Sequence, residues 1–336
     1  MRPGKVPPEV LKDIVFKKLG REDPDVILGP HLGEDASLIR VGEVIIAAST
    51  DPITGSVEDV GWLAVHVNAN DIATFGIMPR WFLASIMLPD GFDEKELQKI
   101  VDQIHAAASS LGISVAGGHS EISKGFGRPI IAGFMMGVTS PGGYVTSSGA
   151  KPGDAIILTK TIGIEGTAIL ATEGSAYLNT HLSDDIICQG KSLRNQISVV
   201  KDGVTAFGTG HITAMHDPTE GGLSGGIHEL CDASGVGFEI YSDALPIDDS
   251  TIAICEVLDI NPLELISSGC MIITCESGYA DVVLGALEEA AVSAHIIGSI
   301  LEEPARRLLI TISDGIQLPR PKTDALWDAL NKISPS

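Results

Sequence analysis

VIIAASTDPITGSVEDVGWLAVHVNANDIATFGIMPRWFLASIML, residues 44–88, changes its hydrophobic rhythm twice and so decides the fold. Val44–Ser49 is a short apolar run that stops at Thr50-Asp51-Pro52, where the residue before proline is driven to extended backbone. Glu58–Phe75 reads as a helix, closed by Gly76 with Pro79 beyond it. Trp81–Leu88 is apolar throughout and reads as a buried strand ahead of the turn Pro89-Asp90-Gly91.

Working outward, Leu97, Ile100, Val101, Ile104, Ala107, Ala108 and Leu111 recur at helical spacing. Asp93 with Glu96 offers an N-cap and a capping-box partner, and Gly112 stands where a left-handed terminal residue belongs. Ile113–Ala116 and Ile130–Thr139 add two strands. Strand–helix–strand–helix–strand–strand predicts a ferredoxin-like α/β sandwich with helices over one sheet face. The turn-rich segment Ser140–Asp154 is the natural boundary, giving domains at 1–145 and 152–336. Beyond it Ala155–Thr159, Phe238–Tyr241, Met271–Thr274, Ala294–Ile300 and Leu308–Ile312 read as strands. Glu165–Thr172, Leu223–Ala233, Asp249–Leu258 and Tyr279–Ala291 read as helices. The whole is an α+β chain with an α/β second domain.

Bulk properties narrow the function. A length of 336 residues suits two domains, and 44% hydrophobic residues with 4% aromatics means aliphatic cores. Lys and Arg number 22 against 44 Asp and Glu, a formal charge of -22 that disfavours nucleic acid. A divalent cation held by carboxylates would still admit nucleotide phosphates. The five cysteines, Cys188, Cys231, Cys255, Cys270 and Cys275, include no CxxC pair and form no disulfide framework. Neither a signal-type apolar segment nor a membrane-length one occurs, so a cytoplasmic setting is expected.

Three places carry chemistry. Asp35 in Gly33-Glu34-Asp35-Ala36, Asp51 in Ser49-Thr50-Asp51-Pro52, and Asp71 beside Asn70 lie on two loops and a helix. Together they are able to hold one Mg²⁺ on a triphosphate, since Mg²⁺ takes one or two carboxylates with phosphate oxygens and water. Turns and caps also use Asp with no ligand in view, although Asp71 in an apolar helical stretch needs a partner. Gly117-Gly118-His119-Ser120-Glu121 follows a strand, where paired glycines let backbone N–H groups approach an anion; His119 is a ligand, an acid or a hydrogen-bonded turn residue. His216-Asp217-Pro218-Thr219-Glu220-Gly221-Gly222-Leu223 has the layout of an anion site at a helix N-terminus. Its other reading is a helix capped by Thr219 or Asp217, with the glycines there for packing. No P-loop, kinase set, HExxH or G-x-S-x-G occurs.

In order and spacing these stations resemble the AIR synthase (PurM-like) superfamily. Gly33–Ile39, Ser49-Thr50-Asp51, Asn70-Asp71-Ile72-Ala73 and Gly117–Glu121 are similar to its glycine–acid–Asp–Ala, Thr-Asp, Asn-Asp and Gly-Gly motifs. Thr161–Leu170 and Asp217–Leu223 resemble the HypE family within it. The resemblance implies a first domain whose strands join a second copy's into a barrel at a homodimer interface. It implies ATP near that interface, bound by Asp35, Asp51, Asn70, Asp71, Gly117, Gly118, Asp217, Thr219, Gly221 and Gly222. Mg²⁺ is expected on Asp35, Asp51 and Asp71, and His119 and Glu121 are expected to take part in catalysis. The implied chemistry is phosphorylation of an amide-type oxygen, which then leaves as phosphate; HypE so converts a carboxamide on its own terminal cysteine to a thiocyanate for hydrogenase maturation.

Two departures bear on that expectation. The last cysteine is Cys275 and the sequence runs out as Lys332-Ile333-Ser334-Pro335-Ser336, so HypE self-modification is not expected to proceed in the family's manner. Glu220 stands where the family motif Asp-Pro-Thr-Arg-Gly-Gly-Leu has Arg. A HypE-like paralogue acting on a small-molecule or partner-protein carboxamide is expected. A nucleotide-responsive scaffold without turnover and an AIR synthase or thiamine-monophosphate kinase activity are the alternatives.

Overall fold

The computed structural model describes residues 4–54, 58–312 and 314–333, and the tail 334–336, on which the terminal-thiol expectation falls, lies outside them. A short helix α1 (Pro8–Val10) begins the described chain and widens into a turn over Leu11–Val15. The first sheet contains β1 (Val26–Leu28), β2 (Ser37–Val41), β3 (Val44–Ser49), β4 (Pro52–Ile53), β5 (Pro79–Leu88), β6 (Ser114–Ile122) and β7 (Ile130–Thr139). Their order is β1-β2-β3-β7-β5-β6, with β4 also on β7. Helices α2 (Val60–Ala73) and α3 (Glu94–Ser110) provide the crossovers, and only β5 and β6 pair in parallel. The sheet is open, ending at β1 and β6. Asp93 caps α3 as expected, its carboxylate accepting from the Lys95 N–H at 2.7 Å.

One strand differs from expectation. The run expected at Ile113–Ala116 extends to Ile122, so Gly117-Gly118-His119-Ser120-Glu121 lies within β6 rather than after a strand. The cause is the length of β5, whose ladder partners run from Trp81 with Ser114 to Leu88 with Ile122. All nine residues of β6 are exposed, and with no buried face there is no alternation to announce a strand.

The second sheet contains β8 (Ala155–Thr159), β9 (Ile212–His216), β10 (Gly237–Tyr241), β11 (Ile272–Cys275), β12 (Ala294–Leu301), β13 (Arg307–Ile310) and β14 (Gly315–Gln317), in the order β14-β13-β10-β12-β8-β11-β9. Its helices are α4 (Ile164–Glu173), α5 (Ser175–Leu178), α6 (Asp184–Ser192), α7 (Val200–Gly208), α8 (Gly222–Ser234), α9 (Asp249–Leu258), α10 (Ala280–Glu289) and α11 (Ala325–Ile333). Central β8 and β11 are buried at every position, which explains why Ala155–Thr159 and Ile272–Cys275 are apolar apart from one threonine each. Among the described residues no helix is long and apolar enough to cross a membrane.

The two halves share one buried aliphatic cluster rather than meeting across a wet cleft. α2 docks on α7, and glycines set the approach: a Cβ on Gly203 would lie 2.3 Å from the Ala73 carbonyl oxygen. Polar contacts fix the register. The Asn70 amide donates to the Ile197 carbonyl at 2.9 Å and its oxygen accepts from the Val199 N–H at 2.8 Å. The buried Lys160–Asp202 pair, at 3.0 Å, lies nearby. Gly203→Ala is expected to cost about 1–3 kcal/mol through overpacking of this joint; urea unfolding of the two proteins measures it, and equal stability would show that the helices can separate freely.

Candidate active site

The Gly33-Glu34-Asp35 loop leads into β2 and lies directly on α8. A Cβ on Gly33, whose φ is +79°, would lie 2.7 Å from the Glu229 carbonyl oxygen, so the glycine permits this approach. The contact brings Asp35 to His216, at the end of β9: Oδ2 lies 3.1 Å from Nδ1. The other ring nitrogen, Nε2, lies 3.2 Å from Oε2 of Glu229 on α8. Burial opposes a charge on His216, which is 1% exposed, but Asp35 and Glu229 outweigh it and hold the imidazole up to about 10. Glu229 is in turn drawn down to about 2, because Lys5 and His216 overcome its own burial.

Further carboxylates surround this bridge. Asn68 holds the backbone at Asp51: its Oδ1 accepts from the Asp51 N–H at 2.9 Å, and its amide donates to the Asp51 carbonyl at 3.2 Å. The Asp51 carboxyl is raised by burial, then by Asp35 and Glu220, against the pull of Lys5. Asp71, inside α2, is raised well above the usual carboxylate range by burial and by Asp51, Asp35 and Asp217. Asp217 is 1% exposed, and neither of its carboxyl oxygens has a hydrogen-bond partner. Burial and Asp35 raise it too, against His216 and Lys160. Glu165, at the start of α4, is held up to about 7 chiefly by burial.

A cavity of about 830 Å³ opens onto the Asp35–His216–Glu229 bridge, with Asp51, Asp71 and Asp217 outside its lining. Gly4–Pro8 with Leu11 and Phe16 form one wall; His31–Asp35, His216, Glu220, Gly221, Glu229 and the segment 320–324 form the other. Gly221 takes a left-handed φ of +82°, and its N–H donates to Asp324 Oδ2 at 2.6 Å. A carboxylate of the chain itself thus occupies part of the expected anion site at the N-terminus of α8. Asp324 is held up to about 6 by burial, against the N–H groups of Leu326 and Gly221. Neither Thr219 nor Asp217 caps α8, whose N-cap is Gly221 with no side-chain bond. Gly222 packs on backbone, where a Cβ would lie 2.5 Å from the Leu265 carbonyl oxygen.

The expected residues therefore divide into groups. Asp51, Asp71 and Asp217 each feel the charge of Asp35, Asp35 and Gly221 line the cavity, and Thr219 binds Lys5. Asn70 spends both ends of its amide on domain docking. Gly117, Gly118, His119 and Glu121 lie apart on β6, where His119 Nε2 is 3.2 Å from Glu121 Oε2. Lys5, Glu229 and Asp324 escaped the sequence reading, as did the bridging role of His216; only its place next to Asp217 hinted at it. Among the described residues no group of three or more His, Cys, Asp or Glu side chains is disposed to hold a metal ion unaided. The donor set nevertheless fits Mg²⁺, which takes few protein carboxylates and completes its shell with phosphate and water. The unpartnered Asp217 oxygens, and the raised Asp51 and Asp71, show that the nearby Lys5, Lys160 and His216 leave anionic charge over for a divalent cation.

An α/β sandwich joined to a second α/β layer, with acidic loops at the joint, defines the class. Residues 33–139 match the family model described as AIR synthase related protein, N-terminal domain, and residues 151–310 match the C-terminal domain model. The chain belongs to the AIR synthase-related family. It is 31% identical over 259 residues to the carbamoyl dehydratase HypE of Cupriavidus necator, covering 76% of this chain and 69% of that one. It is 29% identical over 316 residues to a putative hydrogenase expression/formation protein of Methanocaldococcus jannaschii, covering 92% of each. Within the family it therefore falls among the hydrogenase-maturation proteins of HypE type. Its fold matches that of a hydrogenase maturation protein HypE solved in complex with ATP, with a TM-score of 0.68 at 21% identity over 95% of each chain.

Asp217→Asn tests the electrostatic reading. A carboxyl whose folded pKa is raised favours the fold fully below its usual value of 3.8, and that benefit is lost as pH rises through the folded value. At pH 7.5, without metal or nucleotide, the variant is expected to melt above wild type, by about 2–4 °C for each kcal/mol relieved. The gap should narrow toward pH 4. A lower Tm for the variant at pH 7.5 would mean that Asp217 is already compensated.

Proposed function

We propose that the chain is a Mg-ATP-dependent enzyme of the HypE type, phosphorylating an amide- or carboxamide-type oxygen on a small molecule or partner protein. The carrying observation is the surplus of buried carboxylate around Asp35 at the cavity wall, which costs stability and suits a site for a metal-bound polyphosphate. In this reading Asp35, Asp51 and Asp71 hold Mg²⁺, and Asp217, Thr219 and Gly221 shape the phosphate end. Bound there, Mg²⁺ would neutralise phosphate charge as the phosphoryl group moves. The His216 bridge keeps Asp35 oriented, and the shared core keeps both walls in register. For a carboxamide the balance is R–C(O)NH₂ and ATP giving R–CN, ADP and phosphate: the amide oxygen leaves on phosphorus and both amide protons are released.

The same reading keeps functional domains at 1–145 and 152–336, a cytoplasmic setting, and a homodimer whose barrel forms along the open edge of the first sheet. Support for the dimer is β6, an edge strand paired only with β5 and carrying Val115 at 51% and Ile122 at 57% exposure. His119 and Glu121 stand on that same strand, so their catalytic role depends on the pairing. Ile122→Asp should shift the sedimenting species from dimer to monomer; a wild type that sediments as a monomer at micromolar concentration would remove the barrel.

Titration calorimetry with Mg-ATP on wild type and Asp71→Asn tests the nucleotide site. Binding that needs Mg²⁺, and is weakened at least tenfold in the variant, is the expected outcome. No binding by a folded wild type would end the enzyme reading. Binding with no ADP release on any carboxamide offered would favour the scaffold instead.

A further inference from the structure

Glu220 brings an anion to the place where the HypE-type motif has a cation, yet the structure supplies a cation there from elsewhere in the chain. The Lys5 N–H donates to Glu220 Oε2 at 2.7 Å, and its Nζ donates to Thr219 Oγ1 at 2.8 Å. The ammonium lies 3.9 Å from Glu229 Oε2. Its side chain is half exposed, and Glu229, Asp51, Asp35 and Glu220 together favour its charged form. Gly4 is fitted to this contact: its φ is +112°, and a Cβ there would lie 2.7 Å from Glu220 Oε2. Pro7 and Pro8 then turn the chain into α1 along the cavity wall. Elsewhere on the cavity wall, His216 is committed to Asp35 and Glu229, and Arg320 is paired with Asp232.

We propose that Lys5 is a phosphate-binding cation of the nucleotide site, replacing in space the Arg that Glu220 has displaced in sequence. Glu220 then serves as the anchor that fixes the Lys5 backbone and aims its ammonium past Thr219 into the cavity. When a Mg-polyphosphate enters, the ammonium exchanges its carboxylate neighbours for phosphate oxygens. The segment Gly4–Phe16 closes over the ligand as part of the site. A polyphosphate brings more negative charge into a wall already rich in Asp and Glu, and a single Mg²⁺ does not balance both. The inference rests on the ATP-site reading above and assigns that site its missing positive group.

Calorimetry of Mg-ATP binding to full-length wild type, Lys5→Met, Glu220→Arg and the double variant separates the possibilities. Lys5→Met is expected to weaken binding at least tenfold and flatten its salt dependence while keeping a cooperative unfolding transition. The double variant, with its cation returned to position 220, is expected to recover to within a few-fold of wild type. ATP should also protect residues 4–16 from amide hydrogen exchange in wild type and leave them unprotected in Lys5→Met. Wild-type affinity in Lys5→Met, or a double variant as weak as the single one, overturns the Lys5 assignment and leaves the ATP site standing. A folded wild type that binds no Mg-ATP removes the ATP site and the Lys5 assignment together.

Discussion

A buried imidazolium between two carboxylates holds the site together. His216 gives one nitrogen to Asp35 of the first domain and the other to Glu229 of the second, at 3.1 and 3.2 Å. Removing such a charge from water costs several kcal/mol, and two well-placed anions are needed to offset it. The arrangement fixes the position of the Asp35 loop, the end of β9 and the orientation of α8 relative to the first sheet. Gly33 follows from the same constraint, since only a residue without Cβ lets the loop come close enough to close the bridge.

Beyond that bridge the negative charge is in excess. Burial raises Asp51, Asp71 and Asp217, the charge of Asp35 adds to it in all three, and the Asp217 oxygens have no hydrogen-bond partner. A stability-optimised fold would replace at least one with an amide. Their retention behind Asp35, which lines the cavity, is the expected mark of a binding site, where local strain is kept because a ligand relieves it. The acidity that argued against nucleic acid thus becomes, at this one place, an argument for a metal-bound anion.

The sequence made the local features legible. Asp51 announced itself through a strand stop at proline, and Asp71 as a charge in an apolar helix. The main strands and α3 followed from periodicity and capping. Long-range pairing stayed hidden: nothing in the neighbourhoods of Lys5, His216 or Glu229 marks them as partners, because folding alone brings residues 5, 216 and 229 together. β6 was cut short at Ala116 because a strand with no buried face leaves no alternating pattern. The Asp217–Gly222 loop misled in another way, since its helix N-terminus is partly filled by Asp324, over a hundred residues downstream.

The close seating of α7 on α2 has a kinetic consequence. With Gly203 against the Ala73 backbone and one aliphatic cluster crossing the joint, the two halves do not part as hinged lobes. Entry and exit of a ligand are left to the short N-terminal wall of the cavity. Segments of that size move in nanoseconds to microseconds, whereas lobe closure takes microseconds to milliseconds. For the proposed site, association would then be set by encounter with an acidic rim, and residence time by how firmly the N-terminal wall settles back over what has entered.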